Sequence, residues 1–135
     1  MSTEYMDIAV AGLHLTGQPL NDQLTVLGGA LVKSCRTAPR YKMYLIEDAK
    51  GKKPGLLCMP QDKPGQSYDV EVWRLPIDNV GKFLSFIPAP LGLGTLSLDD
   101  ETTVKGFICE YRVAEEGKDI SGFSGWKDFM ERSGR

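Results

Sequence analysis

A chain of 135 residues suits one domain and can bury a hydrophobic core without disulfides or a structural metal. With 16 Lys plus Arg against 18 Asp plus Glu the formal net charge is -2, and no basic stripe interleaved with aromatics stands out, so nucleic acid is not an expected partner. The beginning, MSTEYMDIAVAGL, lacks a basic region before its short apolar run, and no stretch nears the roughly 20 apolar residues of a membrane helix. Cys35, Cys58 and Cys109 are odd in number, widely spaced and free of any CxxC pair, which argues against a disulfide framework and a zinc site. A single domain over 1–135, with residues 1–6 and 132–135 as flexible ends, in a reducing cytoplasmic setting and without membrane contact, is the expectation.

In chain order, IAVAGL is apolar on both faces, as a central strand would be. After the HLTGQ loop, Pro19 opens a short helix with Leu20, Leu24 and Leu27 on one face, stopped by Gly28 and Gly29. ALVKSCRT and RYKMYLIE read as strands, with Tyr41, Met43 and Leu45 alternating against Lys42, Tyr44 and Ile46. DAKGKKPG reads as an exposed turn, LLCM as a brief strand and PQDKPGQ as another turn. In YDVEVWRL, alternation puts Val70 and Val72 on one face and Asp69, Glu71 and Trp73 on the other. Next, PIDNVGKFLSFI predicts a helix with Ile77, Val80, Leu84 and Ile87 aligned. PAPLGLG is too rich in proline and glycine for regular structure; TLSL, DDET and VKGFICEYRV form a hairpin; Ser124 caps a last helix with Trp126, Phe129 and Met130 inward. These elements describe an α+β domain around a small mixed, mostly antiparallel β-barrel, closed or half-closed, with short flanking helices and a pocket at its mouth beside the first loop.

The loop AGLHLTGQPLN joins a strand end to a helix start, where free main-chain N–H groups suit a carboxylate or oxyanion. Gly12 and Gly17 let a ligand approach the backbone, and His14, the single histidine, stands there with Gln18 and Asn21. At this level His14 is either a catalytic imidazole or a packed or surface one. Glu71, between apolar neighbours, has its charge disfavoured by desolvation if it faces inward; the alternative is an outward strand acid, and Glu110 in FICEY has the same two readings. Asp99, Asp100 and Glu101 are a solvated turn rather than a metal site. GxSxG, GxxxxGK[ST] and HExxH are all missing.

The run VAGLHLTGQPLNDQLTVLGGALVKSCRTAPRYKMYLI, then KPGL, YDVEVWRLP, FIPAPLGLGTLSLDDETTVKGFICE and DISGFSGWKDFM, resembles the C-terminal domain of allophanate hydrolase over nearly the whole chain. The resemblance implies a γ-glutamylcyclotransferase-like fold with its pocket beside the first strand. It also implies decarboxylation of N-carboxyurea, the product left when an amidase-signature half, which 135 residues do not accommodate, has released ammonia from allophanate. Cyclotransferase relatives carry a Tyr-Gly-Ser/Thr loop and an acid at a helix start; here the tyrosine position is Ala11 and Gly81 falls at the acid, so cyclisation by that route is not expected. The domain's own Gly-x-His-x-x-Gly pattern takes in Gly12, His14 and Gly17.

The resulting assignment is a cofactor-free, metal-free enzyme of lyase or hydrolase type acting on a small carboxylate or amide. His14 is the proton donor; Gly12, Leu13 and Gly17 hold the anion; Gln18 and Asn21 orient the substrate; and Tyr41 and Glu71 line the pocket. Two other readings stand beside it. One is a non-catalytic partner of a separately encoded amidase, favoured by any exposed apolar face around FIPAPLGLG. The other is a γ-glutamyl-type amide-processing enzyme in which Glu71 or Glu110 supplies the missing acid.

Overall fold

The computed structural model describes residues 4–133; residues 1–3 and 134–135, parts of the ends expected to be flexible, lie outside the described residues. The elements in chain order are β1 (Tyr5–Val10), α1 (Asp22–Thr25), β2 (Ala30–Arg36), β3 (Tyr41–Asp48), β4 (Gly51–Cys58), β5 (Asp69–Pro76), a 3-10 turn (Ile77–Asn79) running into α2 (Val80–Leu84), β6 (Leu91–Ser97), β7 (Thr103–Cys109), α3 (Val113–Glu116), β8 (Lys118–Asp119) and α4 (Trp126–Ser133). Five strands form one sheet in the order β2-β5-β1-β7-β6, and three form a second in the order β4-β3-β8. Every pairing is antiparallel except that of β1 with β7.

β1 is the middle strand of the larger sheet, and Ile8, Ala9 and Val10 are buried on both of its faces, as the unbroken apolar run requires. The sheets do not close into the expected barrel. They approach where Gly12, just after β1, faces Pro54 of β4, and where Gly55 of β4 faces Cys109 of β7. A proline at that position of β4 has no N–H to offer a neighbouring ladder, so the sheets touch there through side chains and not through strand pairing.

Other expectations shift in ways that bear on the site. The helix predicted from Pro19 begins at Asp22, because residues 12–21 are spent on successive turns. KKPG belongs to β4, paired with Glu47 through Tyr44, and the exposed turn shrinks to its tip. LGLG is not irregular: β6 starts at Leu91 and pairs with β7 along its length, since glycines at alternate positions leave room for neighbours such as Ile108 against Gly94. α2 buries Val80 and Phe83, while Ile77 is exposed because the chain enters through a 3-10 turn of different pitch. In α4, Trp126 and Phe129 are buried and Met130 is exposed; Ser124 contributes its main-chain N–H to the Asp128 carboxylate at 2.9 Å. Among the described residues no helix is long and apolar enough to cross a membrane.

Candidate functional site

β1 delivers the chain into a cavity of about 630 Å³ lined by Val10 at the end of β1 and by Gly12, Leu13, His14 and Gln18 from the first loop, with Gln23 from α1. The β3–β4 hairpin adds Asp48, Lys50, Lys52, Lys53 and Pro54; Phe107 comes from β7, Trp126 and Met130 from α4. The loop is fixed by its own turns: Leu15 N–H donates to Gly12 O at 3.0 Å, Gln18 N–H to Leu15 O at 2.9 Å and Leu20 N–H to Leu13 O at 2.8 Å. The N–H groups of Gly12, Leu13 and His14 reach no acceptor among the described residues. Three successive donors without an acceptor, on residues that line the cavity, make up a candidate cradle for a carboxylate.

His14 is 8 % exposed and sits edge-on to Phe83, ring centroids 5.1 Å apart, and beside Phe107 at 6.1 Å. Its Nε2 lies 2.6 Å from the Gln23 Oε1, which fixes Nε2–H as donor and leaves Nδ1 without a hydrogen bond among the described residues. Burial pushes the imidazole below its usual range, opposed in part by the Gln23 hydrogen bond and the negative charge of Asp22. The ring is therefore neutral at pH 7 in the empty cavity.

The other sequence-derived residues divide. Gly12, Leu13 and Gln18 line the cavity with His14. Gly17 does not; it makes the turn, with φ of +84°. Asn21 acts from behind, its Nδ2 donating to the His14 carbonyl at 2.8 Å. Tyr41 is buried away from the cavity, its hydroxyl accepting from Ser97 N–H at 2.9 Å. Glu71 faces inward but does not line the cavity: its Oε1 accepts from Thr16 N–H at 2.8 Å, Thr16 Oγ1 at 2.9 Å and Trp73 Nε1 at 3.0 Å. Alternation along β5 thus correctly put the acid beside the indole, but it latches the loop and takes no place in the pocket. Glu110 is exposed and paired with Arg112 at 2.9 Å.

Sequence reasoning missed the lysines and α4. Lys53 is paired with Asp48 at 3.4 Å, and Lys50 and Lys52 bring two further positive charges to the cavity. The run KGKK was the available signal, discounted because a turn was expected there. The main-chain N–H of Lys50, with Lys53, holds the Asp48 carboxyl below the usual range. Among the described residues no three His, Cys, Asp or Glu side chains converge as metal ligands. Burial raises the Cys109 thiol to about 11, which makes it a packing group and not a nucleophile.

A Cβ on Gly12 would stand 2.5 Å from both Cδ and Cγ of Pro54. Gly12→Val is therefore expected to cost about 3 kcal/mol of stability by overpacking and to weaken binding of malonate, a compact dicarboxylate, at the adjacent N–H cradle. Thermal unfolding and calorimetry measure the two effects; malonate binding at wild-type strength would count against the cradle.

Residues 6–131 match the allophanate hydrolase C-terminal domain family. Urea amidolyase of Lachancea kluyveri is 35% identical over 127 residues, which are 92% of this chain and only 7% of that protein. Kluyveromyces lactis allophanate hydrolase superposes with a TM-score of 0.88 and 35% identity, over 95% of this chain and 21% of its own. A uropathogenic E. coli-specific protein superposes with a TM-score of 0.86 and 28% identity, over 96% of this chain and 98% of its own. The likeness to a γ-glutamyl cyclotransferase, 9% identical with a TM-score of 0.60, is one of fold. The chain is an α+β protein of γ-glutamylcyclotransferase-like fold and belongs to the allophanate hydrolase C-terminal domain family.

Proposed function

We propose that this domain accelerates the decarboxylation of N-carboxyurea in allophanate breakdown, with His14 as proton donor. The observation that carries the reading is the run of three unpartnered N–H groups, Gly12 to His14, beside a desolvated imidazole that Gln23 orients. The carboxylate rests on the N–H cradle. As the bond between nitrogen and the carboxyl carbon breaks, CO2 leaves and the electron pair stays on nitrogen, where the His14 imidazolium, formed by proton uptake when the carboxylate binds, supplies a proton and urea results. The neutral ring is then reprotonated from solvent. Water is kept from the developing charge by Leu13, Phe107 and Pro54, and the lysines of the β3–β4 hairpin draw in the anion. No cofactor takes part in this scheme, and three unbridged thiols, one of them on the surface at Cys58, suit the cytoplasm.

Generating N-carboxyurea in place with an allophanate-cleaving amidase and following CO2 release tests the reading: the rate should rise with added domain. The second reading, a docking partner of an amidase, draws on the exposure of Phe86 and Met130 at the cavity rim. No acceleration together with a stable complex with that amidase would establish it instead. A γ-glutamyl reading finds no support in the cavity, since neither Glu71 nor Glu110 lines it and Gly81 is exposed on α2. Release of 5-oxoproline from γ-glutamyl peptides would reverse that judgement.

A ligand carboxylate beside His14 favours the imidazolium, so it opposes the downward push of burial. Binding must then take up a proton wherever the pH lies above the lowered value of the empty site. Malonate should bind more tightly at pH 6.5 than at pH 8, and calorimetry in buffers of different ionisation enthalpy should show proton uptake that His14→Asn abolishes. Affinity that is flat with pH would sink the coupling.

A further inference from the structure

Trp126 opens α4 and lines the cavity one helical turn before Met130, on the same face of the helix. It is 1 % exposed, yet its Nε1–H is a buried side-chain donor with no acceptor among the described residues. Such a donor forfeits its hydration unless something else accepts from it, and interiors leave few of them. The helix is not free to turn the group elsewhere. Asp128 accepts from the Ser124 N–H at 2.9 Å, Asp69 N–H donates to the Ser124 carbonyl at 2.9 Å, and the indole stacks on Phe129 with centroids 5.5 Å apart.

We propose that Trp126 is a substrate-binding residue of the cavity, its indole N–H donating to a carbonyl or carboxylate oxygen of the bound molecule. The proposal rests on the reading of the cavity as an anion site and adds a second polar anchor to it, from a different element. An indole N–H donates and never accepts, and it does not titrate near neutrality. It therefore selects a ligand that presents an oxygen at this wall and rejects one that presents only an amine, at any pH where the protein is folded. The cradle at Gly12 to His14 and Trp126 together would fix both ends of a short molecule with oxygen acceptors at either end, the class to which a carboxylated urea belongs.

The chain has a built-in control. It contains two tryptophans, and the Trp73 Nε1–H is already bonded to Glu71 at 3.0 Å. In a nitrogen–proton correlation spectrum, titration with malonate should move the Trp126 indole resonance together with the amides of Gly12 to His14, and leave that of Trp73 in place. Trp126→Phe, which keeps an aromatic ring, should weaken malonate about ten- to a hundredfold, the effect of a hydrogen bond to a charged acceptor. The melting temperature of the unliganded protein should fall modestly, the packing lost with the larger ring being offset in part by removal of an unmet donor. Loop amides that shift while the Trp126 indole stays still would overturn this assignment alone. Unchanged malonate affinity in Trp126→Phe would also do so. Absence of any shift at either place overturns the anion-site reading and this proposal with it.

Discussion

His14→Asn is expected to remove about 10²- to 10⁴-fold of the acceleration of N-carboxyurea decarboxylation, the usual worth of a positioned proton donor. Malonate should still bind at pH 8, because the main-chain N–H groups of Gly12, Leu13 and residue 14 do not depend on the side chain. The imidazole also packs between Phe83 and Phe107, so stability should fall by about 1–2 kcal/mol without loss of the fold. Single-turnover CO2 release, set against the uncatalysed rate in the same buffer, measures the first effect. The wild-type rate also distinguishes the donor from a base: proton donation by an imidazole held below its usual range gains from acidification, whereas proton abstraction loses. A variant that retains full acceleration would move the chemistry from His14 to the cradle and the lysines.

Glu71→Ala should cost as much stability as Gly12→Val, although Glu71 does not line the cavity. Its Oε1 is the common acceptor for Thr16 N–H, Thr16 Oγ1 and Trp73 Nε1, and Glu71 is only 7 % exposed. Truncation leaves the Trp73 indole N–H buried without a partner and frees the loop at Thr16. A loss of about 3 kcal/mol follows, since each buried donor left unmet costs about 1–3 kcal/mol and the three bonds share one acceptor. For a chain of this size that is a fall in Tm of about 10 °C. Malonate binding should weaken as well, because Thr16 ties down the residues just after the cradle. Glu71→Gln retains an acceptor oxygen at the same reach and should recover most of both losses. Should Glu71→Ala instead keep its Tm and its malonate affinity while losing the rate, Glu71 would have a chemical part that its hydrogen bonds do not suggest.

Much of the fold was legible locally. The apolar IAVAGL run marked β1 as the central strand, and the hairpin around Asp99 to Thr102 followed from turn residues between alternating strands. Two short-range readings failed because tertiary contacts outweigh local propensity. LGLG pairs as a strand in spite of its glycines because β7 supplies a complete ladder, and KKPG is drawn into β4 by pairing with β3.

For the candidate site, the sequence by itself pointed to the loop that lines the cavity. Gly12 and His14 after a buried strand end point to backbone donors beside an imidazole. It could not determine what stands across from that loop. Burial and pairing are facts about the far side of a residue, and neighbours 55 positions away, as Glu71 is from Thr16, leave no trace in local spacing. Only the tertiary structure therefore decided that Glu71 is a latch, that Tyr41 bonds Ser97 away from the cavity, and that Lys52, Lys53 and Trp126 complete the wall facing His14's loop. The physical reason is the same in each case. Alternation and helical period specify a direction for a side chain, but its chemistry is set by the element that meets it there, and that is fixed by the packing of two sheets and a helix distant in the chain.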